Sequence, residues 1–234
     1  MIRLNIIAEG QTEEAFVNNI LKHHLALFDV FASVRCIETS RSRHYSKVYR
    51  GGFIKYSNLK NDLGLWMKQD AHPEVRFTTM VDLYALPADF PDHVLTQTLK
   101  NPYILVSELE KRMLNDIGAQ RFIPYIQLHE YEALVLAEPG KLSTFFLEHK
   151  KGIADLANLV SRFKSPEEIN QGEATAPSKQ IISRIPEYED LKASVGASIA
   201  DKIGLDTIRK KCPHFHEWLT TLEKLDSGQN EESK

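Results

Sequence analysis

The first fourteen residues constrain this chain more than any other stretch. An apolar run from Ile2 to Ala8 ends abruptly at Glu9-Gly10. A helical pattern begins at about Thr12, with Phe16, Val17, Ile20, Leu21, Leu25 and Phe28 along its apolar face. A near-continuous apolar run of this length predicts a strand buried on both faces, as parallel strands are. A carboxylate thus stands where a buried strand stops and a helix starts, and in open α/β sheets that carboxyl edge is where ligands bind. Gly10 permits a tight turn and the close approach of another group to the backbone.

The same alternation continues through the first half. Val30–Ile37 reads as a second strand, Thr39–Gly52 as a polar loop and Tyr56–Lys68 as a helix. Val75–Val81 is a third strand that stops at Asp82. Helices are expected over Asp92–Leu99 and Tyr103–Asp116, broken at Asn101-Pro102 because proline disfavours helix in the residue before it. Phe122–Leu128 reads as a fourth strand, followed by His129-Glu130-Tyr131-Glu132 and an apolar segment to Ala137. This rhythm predicts an α/β fold: a Rossmann-like, mostly parallel sheet flanked by helices. Beyond Pro139 no strand pattern appears. Short helices are expected at 141–149, 153–162, 177–185, 197–202 and 215–225. The expected organisation is an α/β core over 1–137, a helical carboxyl-terminal subdomain over 138–225, and a polar, disordered tail over 226–234.

Composition limits the class. With 234 residues and 42% hydrophobic content the chain can build a sizeable core. Its two cysteines, Cys36 and Cys212, make no disulfide framework, which predicts reduced thiols and a cytoplasmic setting. No apolar run approaches the ~20 residues of a membrane span. A net charge of −3 does not announce a nucleic-acid binder. The charge is uneven, however. Arg35, Arg41, Arg43, His44, Lys47, Arg50 and Lys55 face the single acid Glu38, with Tyr45, Tyr49 and Tyr56 interleaved. Cations among aromatic rings suit phosphate attraction and base stacking, so Arg41, Arg43, Lys47, Arg50 and Lys55 are candidate nucleic-acid contacts. A solvated surface loop explains the same residues equally well.

Three acidic positions converge. Glu9 ends the first strand, Asp82 the third, and Glu130 or Glu132 follows the fourth. If the strands are parallel, all share one sheet edge, where close carboxylates repel unless a cation neutralises them. Mg²⁺ or Mn²⁺ is the natural cation, since such ions take hard oxygen ligands and can polarise a phosphodiester. Glu130 and Glu132, two apart, cannot share one helical face. Glu130 lies closer to the strand end and is slightly favoured. Blander roles exist. Glu9 can accept hydrogen bonds from a helix amino terminus, Asp89 is a weaker carboxylate candidate, and His129 fits a structural histidine as well as a catalytic one. Cys212-x-His214-x-His216 invites zinc, but a structural site needs four ligands and no matching pair is evident. Ala176-Pro177-Ser178-Lys179 reads either as a phosphate-contacting turn or as a plain helix start.

Several stretches resemble a bacterial Toprim-like family of unknown function. They are Glu9-Gly10-Gln11-Thr12-Glu13, the segment Val81-Asp82-Leu83-Tyr84-Ala85-Leu86-Pro87-Ala88-Asp89-Phe90-Pro91, and Pro124-Tyr125-Ile126-Gln127-Leu128-His129-Glu130-Tyr131-Glu132-Ala133-Leu134. Later motifs are Glu167-Glu168-Ile169-Asn170, Ala176-Pro177-Ser178-Lys179 and Cys212-Pro213-His214-Phe215 with Trp218. The resemblance implies a Toprim core related to overcoming-lysogenisation-defect nucleases, with a glutamate after the first strand and an Asp-x-Asp after the third. Glu9 matches the glutamate and Asp82 the first aspartate, while Tyr84 occupies the second aspartate position. The implied activity is Mg²⁺- or Mn²⁺-dependent cleavage of DNA or RNA. Glu9, Asp82 and Glu130 would be catalytic, and Glu9, Asp82, Glu130 and Glu132 would be the metal-binding set. The implied partner is an ABC/AAA-type ATPase in phage defence. The alternative is a non-catalytic module that binds an ATPase or nucleic acid.

Overall fold

Strand β1 (Ile2–Ala8) lies in the middle of the main sheet, with Ile2 and Leu4–Ala8 all buried. The structure, a computed structural model, describes residues 1–41, 48–50, 55–84, 86–169 and 175–226, the segments 38–41 and 48–50 by their backbone alone. β1 pairs with β2 (Val30–Cys36) on one side and with β5 (Val75–Asp82) on the other, both parallel. The order is β2-β1-β5-β6, with β6 at Phe122–Ile123. The expected polar loop contains a separate antiparallel ribbon, β3 (Glu38–Arg41) with β4 (Val48–Arg50).

The chain leaves β1 in one direction to form β2, then returns across β1 to form β5. The two crossovers lie on opposite faces. The first runs through α1 (Gln11–Phe16), a π turn at Val17–Leu21, and α2 (Lys22–Ala26). The second runs through α3 (Tyr56–Gln69). The gap between β1 and β5 is therefore a topological switch point, the place in such sheets where a crevice opens at the carboxyl ends of the strands. The helix expected to reach Phe28 stops at Ala26, and the backbone turns at Asp29, whose φ is 56°.

Side chains alternate across the sheet with period two. Ile2, Leu4, Ile6 and Met80 pack into one core with Phe16, Val17, Leu21 and Leu25, and with the carboxyl-terminal helical residues from Leu134 out to Leu222. Ile7, Val75, Phe77 and Val81 pack into the other with Leu59 and Leu63 of α3 and Val106, Leu109 and Met113 of α5 (Pro102–Ile117). α5 begins as its sequence dictates. Asn101 accepts from the Tyr103 and Ile104 amides at 3.0 and 3.1 Å, Pro102 takes the first turn, and Gly118 ends the helix at φ 64°. Only Leu95–Thr98 (α4) of the preceding expected helix is helical.

The expected fourth strand is split into β6 (Phe122–Ile123) and β7 (Ile126–Gln127), both parallel to β5. Pro124 has no amide hydrogen for the ladder. Thr79 bridges the gap. Its hydroxyl donates to the Tyr125 carbonyl at 2.8 Å and accepts from the Tyr125 amide at 3.1 Å.

After α6 (Glu132–Val135) the described chain is helical, with 3₁₀ turns at Pro139–Thr144 and Leu147–His149 in place of one expected helix. α7 (Lys150–Val160) and α8 (Pro177–Ile182) lead to α9 (Tyr188–Ile203), which is much longer than the expected 197–202. α10 (Leu205–Lys211) and α11 (Pro213–Glu223) complete the layer. No described helix is long and apolar enough to cross a membrane.

Candidate functional site

At the switch point β1 ends and leaves the Asp82 amide with no strand carbonyl opposite it. The Glu9 side chain fills that place, and its Oε2 accepts from the Asp82 amide at 2.9 Å. Glu9 and Asp82 thus stand side by side at one edge of the sheet, joined by a bond between their two strands. Asp82 Oδ1 is enclosed and, among the described residues, has no hydrogen-bond partner.

Three further carboxylates belong to this cluster. Glu13, one turn into α1, is buried and accepts from the Gly10 amide at 2.8 Å, closing the first turn. Glu132, at the start of α6, is buried with 4% exposure, and the Tyr188 hydroxyl donates to its Oε1 at 3.5 Å. Glu130 turns one oxygen to the Ser178 amide at the start of α8, 2.8 Å away. The Tyr131 hydroxyl, 1% exposed, finds no partner among the described residues.

Crowding is visible in the proton affinities. Burial, then the charge of Glu130, raises the Glu9 carboxyl to about 7 against the pull of the Asp82 amide and Lys192. Burial, then the Glu9 charge, raises Glu13 to about 7. Burial and then Glu130 raise Glu132 to about 7. Asp82 lies well above the ordinary aspartate range through burial and then the charges of Glu9, Glu13, Glu132 and Glu130. The exposed Lys192 ammonium of α9 opposes this at Glu9, Glu13 and Glu132. Strongly raised carboxylates held together at a sheet edge make this cluster the candidate site.

Among the described residues, no three Asp, Glu, His or Cys side chains stand as a ready ligand set for a metal. The structure brings Glu9 and Asp82 into direct linkage and sets Glu130 and Glu132 within electrostatic reach of both. Glu130, slightly favoured from its position, is partly committed to α8, whereas Glu132 is the more buried of the two.

Sequence reasoning missed Glu13, Tyr131, Tyr188 and Lys192. The spacing of four between Glu9 and Glu13 was a usable signal for the first. Nothing local linked α9 to the sheet edge.

Other candidates have settled roles. Asp89 is exposed and accepts from the Tyr56 and Ser57 amides at 2.8 and 3.2 Å, capping α3 rather than joining the cluster. Cys212, His214 and His216 each face different partners. The Cys212 thiol approaches the Ala133 carbonyl, and His214 Nε2 lies 3.1 Å from Glu110 Oε1 and from the Ile126 carbonyl. His216 Nδ1 accepts from Arg209 at 3.0 Å. The Ser178 amide at the suggested phosphate turn is taken by Glu130.

In the basic segment, Arg43 and Lys47 lie outside the described residues, and Arg41 and Arg50 fall on β3 and β4, where only the backbone is described. Lys55 is exposed just before α3. The Arg35 guanidinium is held inward, donating to the Asp62 carbonyl at 2.8 Å and lying 3.9 Å over the Trp66 ring.

No curated protein and no solved structure matches the chain. One family model does, over residues 8–223, a span holding the whole carboxylate cluster and both faces of the sheet. The chain therefore belongs to the family described as a domain of unknown function, DUF4276.

Proposed function

We propose that the chain is a Toprim-type, metal-dependent phosphodiesterase acting on DNA or RNA, with Glu9 and Asp82 at its centre and Glu130 or Glu132 beside them. The observation that carries this reading is the enclosed, unpartnered Asp82 Oδ1 next to the Glu9 carboxylate. A buried carboxylate oxygen without a donor is costly unless positive charge or a proton is supplied. At neutral pH a divalent cation meets that need for the whole cluster at once. Mg²⁺ is held by one or two carboxylates plus waters and substrate phosphates, so a complete protein cage is not required. When bound, Mg²⁺ or Mn²⁺ would polarise a phosphodiester and stabilise the leaving oxygen.

The chain's own residues have distinct tasks in this reading. Glu9 would hold the cation or accept a proton from an attacking water. Its bond to the Asp82 amide fixes its orientation. Tyr188 orients Glu132, and Lys192 restrains the mutual repulsion. Arg41, Arg43, Lys47, Arg50 and Lys55 guide the strand, and an ABC/AAA-type ATPase partner in phage defence follows from the family resemblance.

A non-catalytic binding module is the second reading. It is favoured by Tyr84 at the second aspartate position and by the lack of a ready three-residue ligand set among the described residues. A Mn²⁺ titration followed by thermal melting separates the two. Saturation at a hundred times Kd stabilises by about 2.7 kcal/mol, and we expect Glu9→Gln and Asp82→Asn each to abolish that gain together with Mn²⁺-dependent cleavage of labelled strands. A wild type insensitive to Mn²⁺ would leave the binding module standing.

A further inference from the structure

The loop after Asp82 opens on a cavity of about 300 Å³. Leu83 directly follows Asp82 and His129 directly precedes Glu130, and both line it on the α5 side of the sheet with Leu86 and Leu105, whereas the Asp82 carboxylate faces Glu13 and Glu132. Two backbone bonds tie these walls together. The Leu83 amide donates to the Gln127 carbonyl at 2.9 Å, and the Tyr84 amide donates to the His129 carbonyl at 3.0 Å. His129 is held at φ 62°, a left-handed conformation that costs a non-glycine residue roughly 1–2 kcal/mol.

The cavity has three kinds of wall. Leu83, Leu86, Leu105 and Pro102 supply apolar surface suited to the face of a flat ring. His93, Thr96 and His129 supply hydrogen-bonding groups. The His129 ring forms part of the same wall. His93 is oriented by its Nε2 contact with the Leu86 carbonyl at 3.2 Å, and the Thr96 hydroxyl donates to the His93 carbonyl at 2.8 Å. At the rim stand the exposed Lys100 ammonium and the Tyr84 ring, which is 43% exposed. The volume lies at the lower end of the ~300–1,000 Å³ typical of small-molecule sites. Apolar faces, hydrogen-bonding edges, a rim aromatic and a rim cation together match one nucleotide unit.

We propose that this cavity binds a nucleobase, with the attached phosphate on Lys100, and so holds one nucleotide of the substrate at the carboxyl end of β5. This rests on the phosphodiesterase reading for its place in a reaction, but the binding is separately measurable. The base can come from a free mononucleotide or from an unpaired position in a strand.

The test is ligand-detected NMR and calorimetry on the full chain with excess chelator. The probes are the four nucleosides, their 5′-monophosphates and single-stranded hexanucleotides. We expect binding of at least one base type. Lys100→Gln should weaken the monophosphate about tenfold, the value of one charge-assisted contact, while leaving the nucleoside unchanged. Leu105→Trp should fill the cavity and remove binding of both. Thr96→Trp, at a half-exposed position, does the same if Leu105→Trp does not fold. Tighter binding of hexanucleotides than of monophosphates identifies a strand as the source, and the reverse order identifies free nucleotide. No binding of any probe, or binding unmoved by the cavity-filling variants, overturns the proposal. Metal-dependent cleavage without base binding would overturn this site alone, and base binding without cleavage under any metal would overturn the phosphodiesterase reading alone.

Discussion

At the scale of single residues, the carboxylate cluster sets the pH behaviour of the protein. A carboxyl whose native pKa lies above its unfolded value holds its proton more tightly when folded, so stability falls as pH rises through that interval. Glu9, Glu13 and Glu132 rise from 4.5 to about 7 and act in this direction. His214 adds to it. Burial pulls its ring down, but the bond and charge of Glu110 prevail and raise it, so its contribution is also lost with rising pH. His129 opposes them only between about 4 and the ordinary histidine value of 6.5. Above that interval the prediction is clean: metal-free protein should melt a few degrees higher at pH 6.5 than at pH 8. Glu132→Gln should raise the melting temperature at pH 8 and flatten this slope. A melting temperature that climbs between pH 6.5 and 8 would show that the carboxylates are not crowded in solution. Glu9 and Asp82 were legible from sequence because a strand end is a strong local signal. Glu13 was not, because a first-turn glutamate on an amphipathic helix looks the same whether it caps the helix, faces solvent or is pressed against another acid.

At the scale of elements, the split between β6 and β7 shows how one hydroxyl replaces a missing rung. Thr79→Val leaves the Tyr125 amide and carbonyl unsatisfied in the core and should cost about 2–4 kcal/mol in urea denaturation. Thr79→Ser keeps both bonds and loses one methyl, at about 1 kcal/mol. Equal losses in the two variants would mean that packing, not the bridge, matters. The same logic explains which elements could be read from the chain alone. The start and end of α5 follow from Asn101, Pro102 and Gly118, all local. The start of α11 does not. Its His214 and Phe215 amides are capped, both at 3.0 Å, by the buried Glu167, a residue 47 and 48 positions away. Short α6 and the 3₁₀ turns after it are similarly set by what they pack against. Gly196 is a third case. A Cβ there would lie 2.9 Å from the Thr12 methyl and 3.3 Å from the Tyr131 ring, so α9 rests directly on the start of α1. Gly196→Ala should therefore destabilise the fold by about 1–3 kcal/mol despite its better helix propensity. A stabilised variant would show that the two helices separate without cost.

At the scale of the whole molecule, the two halves share a core. Ile2, Leu4 and Ile6 of the first strand belong to the same buried cluster as Phe215, Trp218 and Leu222 of the last helix. A fragment ending at residue 137 would expose that face of the sheet. It should lack cooperative unfolding and protected amides in hydrogen exchange, whereas the full chain should show one transition. A folded, cooperatively melting fragment would establish the first half as an independent unit. The aromatic side chains offer an unplanned way to watch this. The chain has two tryptophans, and the sheet separates them. Trp218 donates to the Thr78 hydroxyl at 3.0 Å and stacks on Tyr125 at 4.1 Å in the layer of the carboxyl-terminal helices. Trp66 lies on the opposite layer, beneath Arg35 and edge-on to Phe77. Each indole is thus a private optical channel to one side of the sheet, distinguished by its neighbours: a stacked phenol on one side, a guanidinium on the other. Light emitted from the two will fade at one temperature if the layers melt as one body, and at two if the sheet can shed one coat while keeping the other.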